Sequence, residues 1–88
     1  MVSFWKAGGL FRSHDGYEAD LVIESGRIRE VIEIKLTSGP APEDLARLVK
    51  VGEMIEATRV VLLCRVRQSA TTGRQWVTNL PDYLRATA

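Results

Sequence analysis

Three residues of this 88-residue chain combine types and spacing that can do hydrolytic chemistry: Asp20, Glu33 and Lys35. Glu33 and Lys35 are two positions apart in an alternating stretch, so they share one face of a predicted strand. Carboxylates together with water supply the oxygen ligands that Mg²⁺ or Mn²⁺ prefers. A lysine beside such a cation can orient or deprotonate an attacking water and stabilise a phosphorane-like transition state. The residues therefore indicate either a metal-dependent hydrolytic site or a solvated strand face with scattered charges.

A predicted β-hairpin positions these residues. Residues 18–24 and 27–36 alternate apolar and polar side chains, which is typical of half-buried strands. Ser25–Gly26 between them predicts a two-residue turn, because glycine tolerates a positive φ. That turn predicts an apolar face with the pairs Ala19–Ile32 and Ile23–Ile28, and a polar face with Asp20 opposite Val31 and Glu18 opposite Glu33.

The predicted polar face carries unfavourable electrostatics. Two carboxylates about 5 Å apart repel each other by roughly 3 kcal/mol at an effective dielectric constant of ~20. Asp20, on a diagonal from Glu33, adds to this repulsion, and Lys35 offsets only part of it. A divalent cation bound between the carboxylates would remove it.

The order of motifs along the chain resembles the PD-(D/E)xK signature of restriction-endonuclease-like nucleases. It is most similar to the nuclease-like C-terminal domain that follows the ATPase module in many prokaryotic AAA-type ATPases. The matching stretches are Phe4-Trp5-Lys6, Gly16-Tyr17-Glu18-Ala19-Asp20, Leu21-Val22-Ile23-Glu24 and Ile32-Glu33-Ile34-Lys35. The resemblance implies that Asp20 and Glu33 hold Mg²⁺ or Mn²⁺ and that Lys35 serves the attacking water. Glu18 matches a frequent acidic position and is a further candidate metal ligand.

Some features depart from that family pattern. Ala19 stands where the signature often has proline, and the acidic helix that precedes the first strand in many of these nucleases is missing. No GxxxxGK[ST] phosphate loop occurs, so the chain has no ATPase of its own. We expect a stand-alone minimal version, a fragment of a larger protein or a decayed copy, with an ATPase as partner or parent chain.

The remaining pattern predicts an α/β fold, and the order of its elements resembles a restriction-endonuclease-like minimal core. Its mixed sheet has about four or five strands in the order β-β-β-α-β-β, with one main helix and a short C-terminal helix. Beyond the hairpin, the predicted elements are a first strand at Val2–Ala7, a loop at Ser13–Gly16, a helix from Pro42 or Glu43, a strand at Arg59–Val66 parallel to the second hairpin arm, a loop at Gln68–Gly73, a strand at Arg74–Thr78 and a helical turn at Pro81–Arg85.

One stripe of the predicted helix faces the sheet: Leu45, Leu48, Val49, Gly52 and Ile55. Glycine costs about 1 kcal/mol against alanine in a helix interior. We expect Gly52 to let the helix approach a strand closely.

Length and composition predict a single domain over residues 1–88. No apolar run approaches the ~20 residues of a membrane span, and the N-terminus lacks signal-peptide features, so a cytoplasmic location is expected. The single cysteine, Cys64, lies in an apolar run and is interpreted as a buried small hydrophobic residue.

Charge is unevenly distributed although the net charge is only +1. Between Glu56 and Asp82 the charged residues are all arginines: Arg59, Arg65, Arg67 and Arg74. Arg65, Arg67 and Arg74, with Arg47 on the helix, are candidate nucleic-acid contacts beside an acidic metal site. Alternatively these arginines only keep the surface soluble. By alternation, Arg65 and Arg67 are expected to share one strand face with Leu63.

Three functions remain open. The first is a Mg²⁺-dependent nuclease that acts on DNA as a homodimer. The second is a nuclease-fold module without cleavage, which binds DNA or docks on an ATPase or another protein. The third is a small structural domain whose charges do no chemistry. His14 either takes part in metal or base chemistry or is a solvated loop residue.

Overall fold

A computed structural model of the chain describes residues 11–12 and 18–87, with side chains from residue 19 onward. The predicted strand at Val2–Ala7 and the predicted loop at Ser13–Gly16, which includes His14, lie outside the described residues. The elements in chain order are β1 (Phe11–Arg12), β2 (Glu18–Ala19), β3 (Leu21–Ser25), β4 (Ile28–Ile34), α1 (Pro42–Met54), β5 (Arg59–Leu63), β6 (Ala70–Thr72), β7 (Gln75–Thr78) and α2 (Leu80–Thr87).

Five of the strands form one mixed sheet in the order β3-β4-β5-β7-β6. β3 and β4 are an antiparallel hairpin, β4, β5 and β7 run parallel, and β6 is antiparallel to β7. Because parallel neighbours need a crossover connection, α1 lies between β4 and β5 in the chain. The predicted α/β class is confirmed, with its mixed sheet, one main helix and a short C-terminal helix.

The hairpin turn lies one residue later than predicted. Gly26 and Arg27 form it, and Gly26 has a φ of +61°. Gly26 thus occupies the first central position, where a type II′ turn requires positive φ. The resulting register pairs Leu21 with Ile32 and Val22 with Val31. The predicted pairs Ala19–Ile32, Asp20–Val31 and Ile23–Ile28 are therefore wrong, and the same shift moves Glu18 away from the position opposite Glu33.

The assignment of the two hairpin faces also changes. Val22 and Val31 are fully buried in the same core cluster as Leu48 of α1, so α1 covers the face that was predicted to be polar and solvent-facing. Ala19 joins this cluster because the chain bends at Asp20, which shifts the alternation by one residue. Ile32, on the other face, is buried as well. A sheet that is covered on both faces does not separate inside from outside by alternation alone.

Helix α1 begins at Pro42, as predicted, and packs closely on the sheet. Gly52 is the point of closest approach: a Cβ there would lie 2.7 Å from Cγ2 of Val60. The prediction that Gly52 admits a close helix–strand contact is confirmed. In the predicted stripe Leu48, Gly52 and Ile55 are buried and Leu45 and Val49 are partly buried, while Val51 is a further buried residue.

The C-terminal third differs from the predicted boundaries. Strand β5 ends at Leu63 rather than Val66, and part of the predicted loop Gln68–Gly73 forms β6. All residues of β6 are exposed, so the strand has no apolar alternation by which the sequence could reveal it. The predicted helical turn is part of α2. No helix among residues 18–87 is long and apolar enough to cross a membrane.

Candidate carboxylate and lysine site

Glu33 and Lys35 lie where β4 ends, on the face that α1 covers. They follow Val31 at alternate positions, so their side chains leave the sheet on the same side as this core residue. Because α1 leads from the end of β4 back to the start of β5, the first turn of α1 lies near the end of β4. Both residues are half-buried. The sequence prediction that they share one face is confirmed.

Asp20 is held against the same strand end. Its backbone N–H donates to the carbonyl of Ile32 at 3.1 Å. Its carboxylate Oδ2 accepts a hydrogen bond from the backbone N–H of Ile34 at 2.8 Å. Ile34 is the residue between Glu33 and Lys35, so the bend between β2 and β3 brings Asp20 to the predicted partners although more than ten residues separate them in the chain.

Asp44 is part of this site, and the sequence reasoning did not find it. Its Oδ1 lies 3.2 Å from Nζ of Lys35 and accepts a hydrogen bond from Arg47 at 3.0 Å. Its Oδ2 accepts the backbone N–H of Ala41 at 2.9 Å. The Asp44 side chain is only 10% exposed. In the sequence, Asp44 is an acidic residue in the first turn of a predicted helix. A favourable interaction with the helix dipole already explains such a residue, so nothing indicated a role in the site.

Two carboxylates of the site, Asp44 and Glu33, differ in their electrostatics. The hydrogen bond from the Ala41 backbone, supported by Lys35 and Arg47, holds the pKa of Asp44 below its ordinary value. Burial raises the pKa of Glu33; the positive charge of Lys35 opposes this, while Asp20 and Asp44 raise it further. Of these two carboxylates, Glu33 is thus the one whose negative charge is compensated less.

The donor set fits a divalent cation held by few protein ligands. Asp20 and Glu33 would supply carboxylate oxygens, and Mg²⁺ commonly takes one or two carboxylates and keeps several waters. Within residues 18–87, no group of three or more His, Cys, Asp or Glu side chains is arranged to hold a metal ion. Glu18 lies in β2, before the bend at Asp20, and its backbone pairs with Arg12.

The candidate nucleic-acid contacts lie at two ends of the sheet. The backbone N–H of Arg65 donates to the carbonyl of Thr37 at 2.8 Å, so Arg65 lies at the same end of the sheet as Lys35. Arg65 and Arg67 are exposed and lie beyond the end of β5, which corrects the prediction that they share a strand face with Leu63.

Arg74 lies at the opposite end of the sheet. Its carbonyl accepts the N–H of Val60 at the start of β5, and its guanidinium donates to the carbonyl of Ala57 at 3.3 Å. The length of β5, about 3.3 Å per residue, therefore separates Arg74 from Arg65. Arg47 is near the carboxylates, where it binds Asp44.

The fold and site define a small α/β domain with a carboxylate and lysine cluster at the end of two parallel central strands. The chain belongs to the family described as "Domain of unknown function (DUF4143)", whose family model matches residues 1–83. Neither a search of curated proteins nor a search of solved structures gave a match.

Proposed function

We propose that this protein is a metal-dependent nuclease-like domain that hydrolyses phosphodiester bonds of DNA. The observation that carries this proposal is the placement of Asp20 beside Glu33 and Lys35: its carboxylate binds the amide of the one residue between them. Two carboxylates and a lysine at a strand end are the groups that the PD-(D/E)xK resemblance calls for. The occurrence of this domain family in AAA-ATPase-associated proteins supports the same branch of that superfamily.

Each residue has a distinct part in the proposed chemistry. Asp20 and Glu33 would hold Mg²⁺ or Mn²⁺, with Glu18 as a further candidate ligand. A bound divalent cation supplies a Lewis acid for the phosphate and a more acidic water. The Lys35 ammonium would donate a hydrogen bond to a phosphoryl oxygen and stabilise the charge that develops there, or in its neutral form take the proton of the attacking water. Arg47, Arg65 and Arg67 would contact phosphates that flank the cleaved bond.

The testing experiment measures cleavage and metal binding together. Plasmid, single-stranded and branched DNA are incubated with the protein and Mg²⁺ or Mn²⁺, next to Lys35→Met and the matched control Lys50→Met on the exposed face of α1. We expect metal-dependent cutting by the wild-type protein and by Lys50→Met. Lys35→Met should still bind Mn²⁺ but not cut. Equal cutting by Lys35→Met would contradict the role of Lys35.

A nuclease that cuts both DNA strands commonly presents two active sites, so we propose a homodimer on duplex DNA. Sedimentation with and without a short duplex measures this. A dimer with two sites converts supercoiled plasmid directly to the linear form, whereas a monomer accumulates nicked circles. Persistent nicking by a monomer would contradict the dimer while leaving the nuclease in place.

One observation favours a second candidate, a nuclease-fold module that binds DNA or docks on an ATPase or another protein without cutting. The Lys35 ammonium is already paired with Asp44 at 3.2 Å, which is a structural role that needs no reaction. DNA binding by a well-folded protein that neither binds Mn²⁺ nor cuts any substrate would support this candidate over the nuclease.

A further inference from the structure

We infer that Asp44 is a positioning residue of the proposed metal site: it holds the Lys35 ammonium away from Glu33, which leaves Glu33 available to a divalent cation. This inference rests on the proposed function. It assigns a role to a residue of helix α1 that the Asp20, Glu33 and Lys35 motif does not contain.

Asp44 is built to hold a cation in a fixed place. Ala41 donates its backbone N–H to Oδ2 of Asp44. Oδ1 lies 3.2 Å from Nζ of Lys35 and 3.0 Å from a guanidinium nitrogen of Arg47. The carboxylate is nearly buried and belongs to the first turn of α1. This helix packs closely on the sheet through Gly52 and the core residues. A lysine paired with such a group loses much of the freedom of its four-carbon side chain.

Without Asp44, Glu33 would become the partner of Lys35. The two residues are separated by two strand positions, about 6.6 Å between Cα atoms, and their side chains leave the same face of the sheet. A lysine ammonium reaches a glutamate carboxylate over that span. Among residues 19–87 no side chain forms an ion pair with Glu33, although Lys35 is close enough to lower its pKa against the effect of burial.

Competition between Lys35 and a divalent cation for the Glu33 carboxylate would have a chemical consequence. An ammonium that pairs with Glu33 occupies the oxygens that a divalent cation needs, and it leaves the position beside a substrate phosphate. Asp44 therefore serves two purposes through one contact: it keeps the metal-binding carboxylate open and it sets the direction from which Lys35 approaches the phosphate. Its effect must act through Lys35 rather than through its own charge alone.

A double-mutant cycle on Mn²⁺ affinity tests whether Asp44 acts through Lys35. The dissociation constant of Mn²⁺ is measured for the wild-type protein, Asp44→Asn, Lys35→Met and the double variant. We expect Asp44→Asn to weaken Mn²⁺ binding about fivefold in the presence of Lys35, which corresponds to a modest ion-pair energy. In the Lys35→Met background, the same change should have almost no effect.

Two controls separate positioning from other effects. Glu43→Gln removes one negative charge from an exposed side chain in the same helical turn. It should leave Mn²⁺ affinity within about twofold of the wild-type value, since long-range interactions of an exposed charge are weak. Asp44→Glu retains a carboxylate at a helical position that suits glutamate, and should restore most of the affinity. Thermal melts confirm that each variant is folded.

The outcomes distinguish the inference from the proposed function. Wild-type protein that binds no Mn²⁺ removes the proposed function and the inference with it. A different outcome overturns the inference alone: wild-type protein binds Mn²⁺, and Asp44→Asn lowers the Mn²⁺ affinity equally with Lys35 and with Met at position 35. The loss of affinity is then a direct effect of the Asp44 charge. In a cleaving protein, Asp44→Asn should also lower kcat without raising the KM for DNA, and Asp44→Glu should restore kcat.

Discussion

The hydroxyl of Tyr83 in α2 donates a 2.5 Å hydrogen bond to the buried carboxylate of Glu30 in β4. Glu30 also binds the guanidinium of Arg59, which stacks on Trp76 at 4.3 Å from the ring centre. Since Glu30 alternates with Val31, this network lies on the face of the sheet opposite α1. It ties the C-terminal helix to the two central strands.

Tyr83→Phe should lower the free energy of unfolding by about 1.5 kcal/mol at pH 7, because a hydrogen bond to a charged group is lost and the Glu30 carboxylate loses a donor. Urea unfolding measures the change. In a Glu30→Gln background the loss should be clearly smaller. An equal loss in both backgrounds would contradict the energetic importance of this contact.

The same contact predicts a pH dependence. Burial, together with the hydrogen bond to Glu30, raises the pKa of Tyr83 above its ordinary value of 10.0. A raised pKa means that the folded state holds the phenolic proton more tightly than the unfolded state. Its contribution to stability is complete below pH 10 and is lost as the pH rises through the folded pKa. Wild-type protein should therefore lose stability above pH 10 more steeply than Tyr83→Phe.

Gly52→Ala should destabilise the protein although alanine is the better helix former. The helix gains about 1 kcal/mol, but the new methyl group meets Val60 and overpacking typically costs about 1–3 kcal/mol. We expect a net loss of about 1 kcal/mol in urea unfolding. In a Val60→Ala background, the same substitution should be stabilising. Gly39→Ala is the matched control, because nothing lies within 4 Å of a Cβ there. A stabilised single variant would contradict the close approach.

Glu33→Gln should stabilise the metal-free protein at pH 7. Burial raises the pKa of Glu33 above its ordinary value of 4.5, so the folded state binds this proton more tightly than the unfolded state. The associated stability is present below pH 4.5 and is lost as the pH rises through the folded pKa. Urea unfolding in EDTA should therefore show an advantage for Glu33→Gln at pH 7 that vanishes near pH 4. The exposed Glu43→Gln is the control, and the same advantage at both pH values would contradict the assignment.

Arg65→Gln with Arg67→Gln should weaken DNA binding more at low salt than at high salt. If each arginine neutralises one phosphate, the slope of log K against log[salt] should decrease by about 1.8. Fluorescence anisotropy with a labelled duplex in EDTA measures binding without cleavage. Arg74→Gln is the matched control, since Arg74 lies at the other end of β5 and should leave the slope unchanged. An equal effect of Arg74→Gln would contradict the placement of DNA at the carboxylate end.

The local pattern of the sequence is sufficient to predict the strands and the helix that position the site. Alternation identified β3 and β4, the helical stripe identified α1, and the spacing of Glu33 and Lys35 placed them on one face. These features follow from the periods of the strand and the helix, which depend only on residues close together in the chain. The parallel pairing of β5 with β4 followed from the predicted helix that connects them as a right-handed crossover.

Tertiary structure decided the features that depend on contacts between distant residues. The position of Gly26 in the turn set the hairpin register, and packing on both sheet faces buried the face that was expected to be polar. The pairing of Lys35 with Asp44 depends on where α1 docks, and that of Tyr83 with Glu30 on how α2 folds back over the sheet. The sequence by itself determined which residues are available for chemistry. Only close packing of the helices on the sheet determined which carboxylate each cation meets.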